Sequence, residues 1–224
     1  MENKTIVITG ATSGVGEKLV NQFSSKGFNV IALGRDELKL NKLRANNIKC
    51  IKADIRIPKE VQTAFSSIKK IDILVNNASI FKMKKFDSFN TKEIDDILDT
   101  NLKGTIYCTL EAIKKMNKGR IINISSVSGT HGIKNQAVYS SSKYGVIGFA
   151  ESLAQELKEK GILISTICPG GINTPLWNES NPYPGNIKDL ITTDDIFNTL
   201  NYIINLPDNV IVKTITMFPN CEWH

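Results

Sequence analysis

The sequence predicts an α/β fold: one doubly wound domain whose mainly parallel sheet is covered by helices on both faces. Three observations predict it. Short β-branched runs alternate with helical patterns along the chain, the rhythm of a parallel sheet. Several runs, TIVITG and IDILVNNA among them, are continuously apolar at their centres rather than alternating, which marks strands buried on both faces. A glycine-rich turn, TGATSGVG, follows the first run and opens the first helical pattern. Right-handed crossovers leave few other topologies, and this one puts a ligand crevice at the carboxyl ends of the strands.

The elements follow in order. TIVITG is the first strand and 14–26 the first helix; NVIALG is the second strand and 36–46 the next helix, with Asp36 as its cap. IKCIKAD is the third strand, and a short helix over 59–67 starts after Pro58. IDILVNNA is the fourth strand, after which 91–116 reads as one long helix. GRIINIS, a long helix over 136–159 and ILISTICPG continue the pattern. A helix over 192–205 stops before Pro207, and VIVKTITMF ends the sheet as its seventh strand. No repeat or low-complexity tract interrupts this, so residues 1–224 read as a single domain with a short substrate loop at about 175–191.

Composition narrows the function classes. A chain of 224 residues with 41% hydrophobic and 22% charged residues has the make-up of an ordinary globular domain. No apolar run is long enough to span a bilayer. The start, MENKTIVITG, lacks the features of a signal peptide, so a cytoplasmic location and no membrane partner are expected. Cys50, Cys108, Cys168 and Cys221 are far apart and there are two histidines, poor material for a disulfide framework or a metal site. The net charge of +6 comes from lysines scattered among acids, a solvated surface rather than a nucleic-acid-binding arm.

The turn TGATSGVG suits a dinucleotide pyrophosphate, which needs bare backbone at a helix N-terminus. Gly10 allows the tight turn, Gly14 admits the ligand, and Gly16 lets the helix pack on the strand. Thr12, Ser13 and Val15 lie in the same cradle. The second strand ends ALGRD, so Gly34 and Arg35 stand where an acid would bond the ribose hydroxyls. A guanidinium pairs with a 2′-phosphate, which favours NADP(H), with NAD(H) as the alternative.

In YSSSK, Tyr139 and Lys143 share a helix face at the start of the long helix. An ammonium about 4 Å from a phenol favours the phenolate by ~4 kcal/mol at an effective dielectric of ~20, up to roughly three pK units. That expectation would bring the tyrosine toward proton exchange near neutrality. NISSVSG leaves Ser126 at a strand's carboxyl end, so its hydroxyl and that of Tyr139 would meet one substrate oxygen, with Ser125 on the opposite face. The serines, Gly145, Gly148 and Ala150 allow close approach of other backbone. Val146, Ile147, Phe149, Leu153, Ala154 and Leu157 form an apolar surface expected to pack in part on the sheet, the remainder serving either a second subunit or a wholly intrachain interface.

Together these motifs resemble the single-domain short-chain dehydrogenase/reductase family over nearly the whole chain. NNAS resembles its Asn-Asn-Ala-Gly motif with Ser79 in place of the last glycine, and CPGGINTP resembles its Pro-Gly segment over the nicotinamide. The resemblance implies a Rossmann-type, seven-stranded sheet in the order 3-2-1-4-5-6-7. It implies that Tyr139 exchanges a proton with the substrate oxygen and Ser126 orients that oxygen. Lys143 would hold the nicotinamide ribose, and Asn101 would support a proton-relay water. Asp54 and Ile55 would lie at the adenine; Asn76, Ala78, Pro169, Gly170, Ile172 and Thr174 would contact the rest of the cofactor. The implied activity is hydride transfer between NADP(H) and a small carbonyl or alcohol, by a homodimer or homotetramer.

The ending LPDNVIVKTITMFP is closer to the branch of 3-hydroxy acid and serine dehydrogenases. A short lid would leave an open pocket walled by Trp177 and Tyr183. Two alternatives stand beside this activity. One is a 3-oxoacyl-(acyl-carrier-protein) reductase that meets its carrier through Lys82, Lys84 and Lys85. The other is a non-catalytic dinucleotide-binding regulatory protein.

Overall fold

The computed structural model describes residues 4–222. Seven strands form one sheet in the order β3-β2-β1-β4-β5-β6-β7, and every pairing is parallel. They are β1 Thr5–Thr9, β2 Asn29–Gly34, β3 Ile48–Lys52, β4 Ile73–Asn76, β5 Gly119–Ile124, β6 Ile162–Pro169 and β7 Thr214–Met217. The helices are α1 Gly14–Ser25, α2 Glu37–Lys42, α3 Pro58–Ser66, α4 Thr91–Leu98, α5 Gly104–Ile113, α6 Ala137–Leu157 and α7 Thr193–Asn205.

Continuously apolar strands feed two cores. Ile6, Ile8, Val30, Ala32, Ile73 and Val75 pack with Leu19 and Phe23 of α1 and Phe197 and Leu200 of α7. Val7, Ile31, Leu33, Leu74 and Ile121 pack on the opposite face with Val61 and Phe65 of α3, Cys108 of α5 and Ala150 of α6. Alternate side chains of each strand therefore enter different cores, and among the polar side chains that the strands do bury, Asn76 and Asn123 are paired with each other. Beyond β1 the chain moves outward to β2 and β3; beyond β4 it moves the other way. The carboxyl ends of β1 and β4 thus flank the reversal point, where ligands bind in such sheets.

Three elements differ from expectation. The helix over 36–46 shortens to α2, capped by Asp36, whose carboxylate accepts the Lys39 N–H at 3.0 Å. A tight turn pairing Ala45 with Ile48 ends it and sets Ile48 in register with Val30. The run at 210–218 yields only β7, because buried Arg120 binds the carbonyls of Leu206, Pro207 and Val210 just before it.

The helix over 91–116 is not continuous. It breaks into α4 and α5 around a π-turn at Asp99–Lys103. Asn101 sits in that turn and uses its carboxamide to grip the segment after β4: Nδ2 donates to the Ile80 carbonyl at 3.0 Å and Oδ1 accepts the Ile80 N–H at 2.8 Å. The extra residue in the turn places Asn101 against both this segment and α6, where Nδ2 also reaches Ser142 Oγ at 3.1 Å.

Candidate active site

A cleft of about 1410 Å³ opens over the carboxyl ends of the strands. It exceeds the ~300–1,000 Å³ of ordinary small-ligand pockets, room enough for an extended ligand and a second small one.

Its floor is the β1–α1 turn. Gly10 and Gly14 hold positive φ values of 65° and 53°. A Cβ on Gly10 would lie 2.7 Å from Ala78 Cα, and one on Gly16 would lie 2.1 Å from the Gly10 carbonyl oxygen. Gly10 adopts the left-handed turn expected of it and is also packed too closely for a side chain, while Gly16 is required by the packing of α1 on β1. Gly14 serves differently, since its Cβ would meet the Thr174 side chain at 3.2 Å, so its bareness seats the segment that closes from above. Thr12, Ser13 and Val15 line the same wall. Ser13 precedes α1 without a side-chain capping bond, so no capping side chain claims the first-turn N–H groups. The cradle fits a pyrophosphate.

At one end lie Gly34, Arg35, Asp36, Lys39, Asp54 and Ile55. The Arg35 side chain is 54% exposed and stands 3.8 Å from Asp54 Oδ2. Asp54 is gripped by Arg56, whose Nε approaches both carboxylate oxygens at 3.0 Å and whose Nη2 lies 2.7 Å from Oδ2. Burial pushes the Asp54 pKa up, yet the hydrogen bonds and charge of Arg56, with the charge of Arg35, hold it below the ordinary value. Lys39, in the first turn of α2 just beyond Arg35, is a cation that the sequence reading missed.

At the other end the chain brings together Ser126, Tyr139 and Lys143 with Pro169, Gly170, Ile172 and Thr174. Ser126 lies just beyond β5, and its Oγ accepts the Ser128 N–H at 3.1 Å. Ser125 points beneath α6, donating to the Lys143 carbonyl at 3.0 Å. Tyr139 is only 8% exposed, with its ring edge-on to Phe81 at 4.8 Å between centres.

Lys143, 2% exposed, donates through Nζ to the Ile124 carbonyl at 2.9 Å and lies 5.6 Å from the centre of the Tyr139 ring. The amine thus sits beside the ring, held by a strand carbonyl, and not on the phenolic oxygen. Burial therefore prevails over the expected acidification. It pushes Tyr139 up to about 12, against the downward pull of the Ser126 and Ser79 hydroxyls, and pushes Lys143 down to about 8.

Two expected residues lie behind the cleft wall. Asn76 is buried, donating to Thr109 Oγ1 and Asn123 Oδ1 at 2.9 Å each; Asn77, Ala78 and Ser79 line the cleft instead. Asn101 spends its carboxamide on Ile80, Ser142 and the Ser79 hydroxyl. Gly145 permits close approach, for its Cβ would meet Leu102 at 2.8 Å, whereas a Cβ on Gly148 would meet nothing. Trp177 and Tyr183 do line the cleft and continue the aromatic row from Phe81, with ring centres 5.4 and 5.0 Å apart. Glu222 also lines it and accepts the Gly171 N–H at 2.8 Å. Nothing in the local sequence pointed to that contact, which joins residues 51 positions apart.

The sequence pattern of the short chain dehydrogenases matches residues 4–184. The chain belongs to the short chain dehydrogenase family. It is 31% identical over 229 residues to an uncharacterized oxidoreductase of Staphylococcus epidermidis, covering 98% of each chain. Among solved structures, this dehydrogenase is similar to a serine dehydrogenase complexed with NADP+, with a TM-score of 0.89 and 26% identity, covering 98% of this chain and 96% of that one. It is likewise similar to a 3-ketoacyl-(acyl-carrier-protein) reductase from Brucella melitensis complexed with NADH, with a TM-score of 0.88 and 25% identity over 98% of both chains. A short chain dehydrogenase with this cleft is an oxidoreductase of the nicotinamide-dinucleotide type.

Proposed function

We propose that this chain is an NADP(H)-preferring oxidoreductase, acting between a small carbonyl and its alcohol, with Tyr139 as general acid and base. The observation that carries this reading is the convergence of Ser126, Tyr139 and Lys143 on one wall of a cleft whose floor is a glycine cradle. When bound, the nicotinamide supplies or takes the hydride. Gly10, Thr12, Ser13 and Val15 hold the pyrophosphate; Arg35 and Lys39 face the adenosine phosphate; Ile172 and Thr174 close over the opposite end. Tyr139 gives its proton to the carbonyl oxygen or takes it back, and Ser126 orients that oxygen. Phe81, Trp177 and Tyr183 form an apolar wall. The reading takes residues 1–224 as one domain, acting in the cytoplasm as a homodimer or homotetramer. Among the described residues no helix is long and apolar enough to cross a membrane.

The test is titration with NADPH and NADH, followed by a screen of aldehydes, ketones, 3-oxo acids and 3-oxoacyl thioesters for NADPH consumption. NADPH is expected to bind more tightly. Replacing Arg35 by Ala should lower NADPH affinity by roughly tenfold and leave NADH nearly unchanged, a charge-assisted contact being lost in one case only. Equal losses for both nucleotides would refute the phosphate role.

A pH dependence follows from Lys143. Its pKa is depressed to about 8, so above that pH the amine is largely neutral. An anionic ligand favours the cation, and binding then takes up a proton. NADPH affinity should therefore fall as pH rises through 8; a flat profile across pH 7 to 9.5 would contradict this.

The likeness to a carrier-protein reductase favours one second reading, reduction of 3-oxoacyl thioesters. Lys82 and Lys84 do not serve it well, since both pair with Glu93 rather than standing free for an acidic carrier. Equal turnover of free and carrier-linked 3-oxoacyl groups would count against the carrier reading. A non-catalytic regulator would bind NADPH and turn over nothing in the screen.

A further inference from the structure

We infer that Glu222 is a specificity-determining residue of this cleft: its carboxylate turns away substrates that carry a carboxylate of their own, so the site takes uncharged aryl carbonyl compounds and their alcohols. The inference rests on the reading of the cleft as an oxidoreductase site for a small carbonyl. Glu222 ends the short 3₁₀ turn Asn220–Glu222 that follows β7, and it lines the cleft. Its carboxylate accepts the Gly171 N–H at 2.8 Å. A Cβ on Gly170 would lie 2.6 Å from one carboxylate oxygen, and a Cβ on Gly171 would lie 2.6 Å from the other. Both oxygens therefore rest on bare backbone of the Pro-Gly segment, the segment read as lying over the nicotinamide. The turn is pinned as well: the Gly170 N–H donates to the Met217 carbonyl at 2.7 Å, and the Glu222 N–H donates to the Pro219 carbonyl at 3.0 Å. The negative charge is thus held by the fold at the substrate end of the cleft.

The basic side chains are engaged elsewhere. Among the described residues lining the cleft these are Arg35, Lys39, His131 and Lys143. Arg35 and Lys39 stand at the adenosine end, beside Asp54 and Asp36. Lys143 Nζ is taken by the Ile124 carbonyl at 2.9 Å. His131 stacks its ring on Phe218, 6.0 Å between centres, with Nδ1 3.2 Å from the Thr130 hydroxyl. The wall beside Tyr139 is the aromatic row of Phe81, Trp177 and Tyr183. The Tyr183 hydroxyl lies 3.7 Å from the thiol of Cys221, the residue before Glu222, which ties that row to the turn carrying the carboxylate. Burial, the Cys221 thiol and the charge of Glu222 together push the Tyr183 pKa up, so the field of the carboxylate reaches the row. A substrate carboxylate entering here would give up water and meet a like charge, whereas an aryl ring packs on the aromatic edges and needs no counter-charge. Rejecting one ligand by a like charge sets specificity as surely as attracting another.

The test compares wild type with Glu222→Gln, which keeps an oxygen for the Gly171 N–H and removes the charge. Reduction by NADPH is measured for benzoylformate and its methyl ester, a pair that differs by one negative charge beside the same aryl ketone. The ester is the more electrophilic ketone, so the deciding quantity is the change in the acid-to-ester ratio of kcat/KM. That ratio should rise roughly tenfold in Glu222→Gln, chiefly through a lower KM for the acid. In wild type it should also rise as salt goes from about 50 to about 500 mM, because salt screens the repulsion, and in Glu222→Gln this salt effect should vanish. A merely structural role for Glu222 would move both substrates together. A ratio unmoved by the substitution, or unmoved by salt in wild type, would overturn the inference. A second readout needs no turnover: phenylacetamide and phenylacetate are titrated into the NADP+-loaded protein. The amide should bind at least tenfold more tightly in wild type, and Glu222→Gln should close the gap. An acid that binds wild type as well as the amide does, or failure of both to bind, would overturn the inference. If wild type reduced no carbonyl, the enzymatic reading would fail, while the titration would still decide the role of Glu222.

Discussion

Tyr139→Phe is expected to lose turnover by ~10²–10⁴-fold while keeping NADPH affinity and thermal stability, the range for removal of a positioned acid–base group. The reason is local. The ring makes the packing contact, edge-on to Phe81, and the variant keeps that ring. Only the hydroxyl is removed, the group proposed to exchange the proton. Burial sets the direction of the pH effect. With its pKa pushed up to about 12, Tyr139 is protonated near neutrality and ready to act as an acid. Carbonyl reduction should thus proceed at neutral pH, whereas alcohol oxidation, which needs the phenolate, should climb as pH rises toward that value. Stopped-flow rates for both directions across pH 6 to 10 check this. A Phe variant within tenfold of wild type would show that another group carries the proton.

Gly16→Ala is expected to be the most damaging single methyl in the nucleotide half. Its Cβ would fall 2.1 Å from the Gly10 carbonyl oxygen and 2.7 Å from Asn77 Nδ2. Backbone on one side leaves nothing to give way except the angle of α1 against β1. Overpacking of this kind costs about 1–3 kcal/mol, or a melting temperature lower by about 2–12 °C in a domain of this size. The same shift opens the cradle, so NADPH affinity should drop at least tenfold. Calorimetry and fluorescence titration measure the two losses. A Gly16→Ala protein that melts like wild type would mean the helix has slack that this packing does not show.

The architecture was legible because it depends on local pattern. TIVITG, NVIALG and IDILVNNA announce burial on two faces, and the glycine turn announces a helix N-terminus, each within a few residues. Where long-range contacts decide, the sequence was silent. The break around Asn101 exists because its carboxamide binds Ile80 and Ser142, and no periodicity within 91–116 reveals partners so distant in sequence. The spacing of Tyr139 and Lys143 correctly put them on one face, but it could not show the Ile124 carbonyl that takes the amine. Asn76 and Asn77 differ by one position at the end of β4, where the chain turns out of the sheet, and this turn brings Asn77 to the cleft. Family membership followed from the motifs and is shown by the match over residues 4–184.

The all-parallel sheet has a consequence for how the molecule comes into being. Strand β1 pairs with β2 after one short helix, but its other edge waits for β4, because Ile6 is registered against Ile73. A nascent chain on the ribosome therefore carries an open, apolar strand edge until the fourth strand has emerged. The rate-limiting step of folding should be the docking of β4 on β1, the event that joins the two halves and seals a sticky edge against neighbours in a crowded translating population.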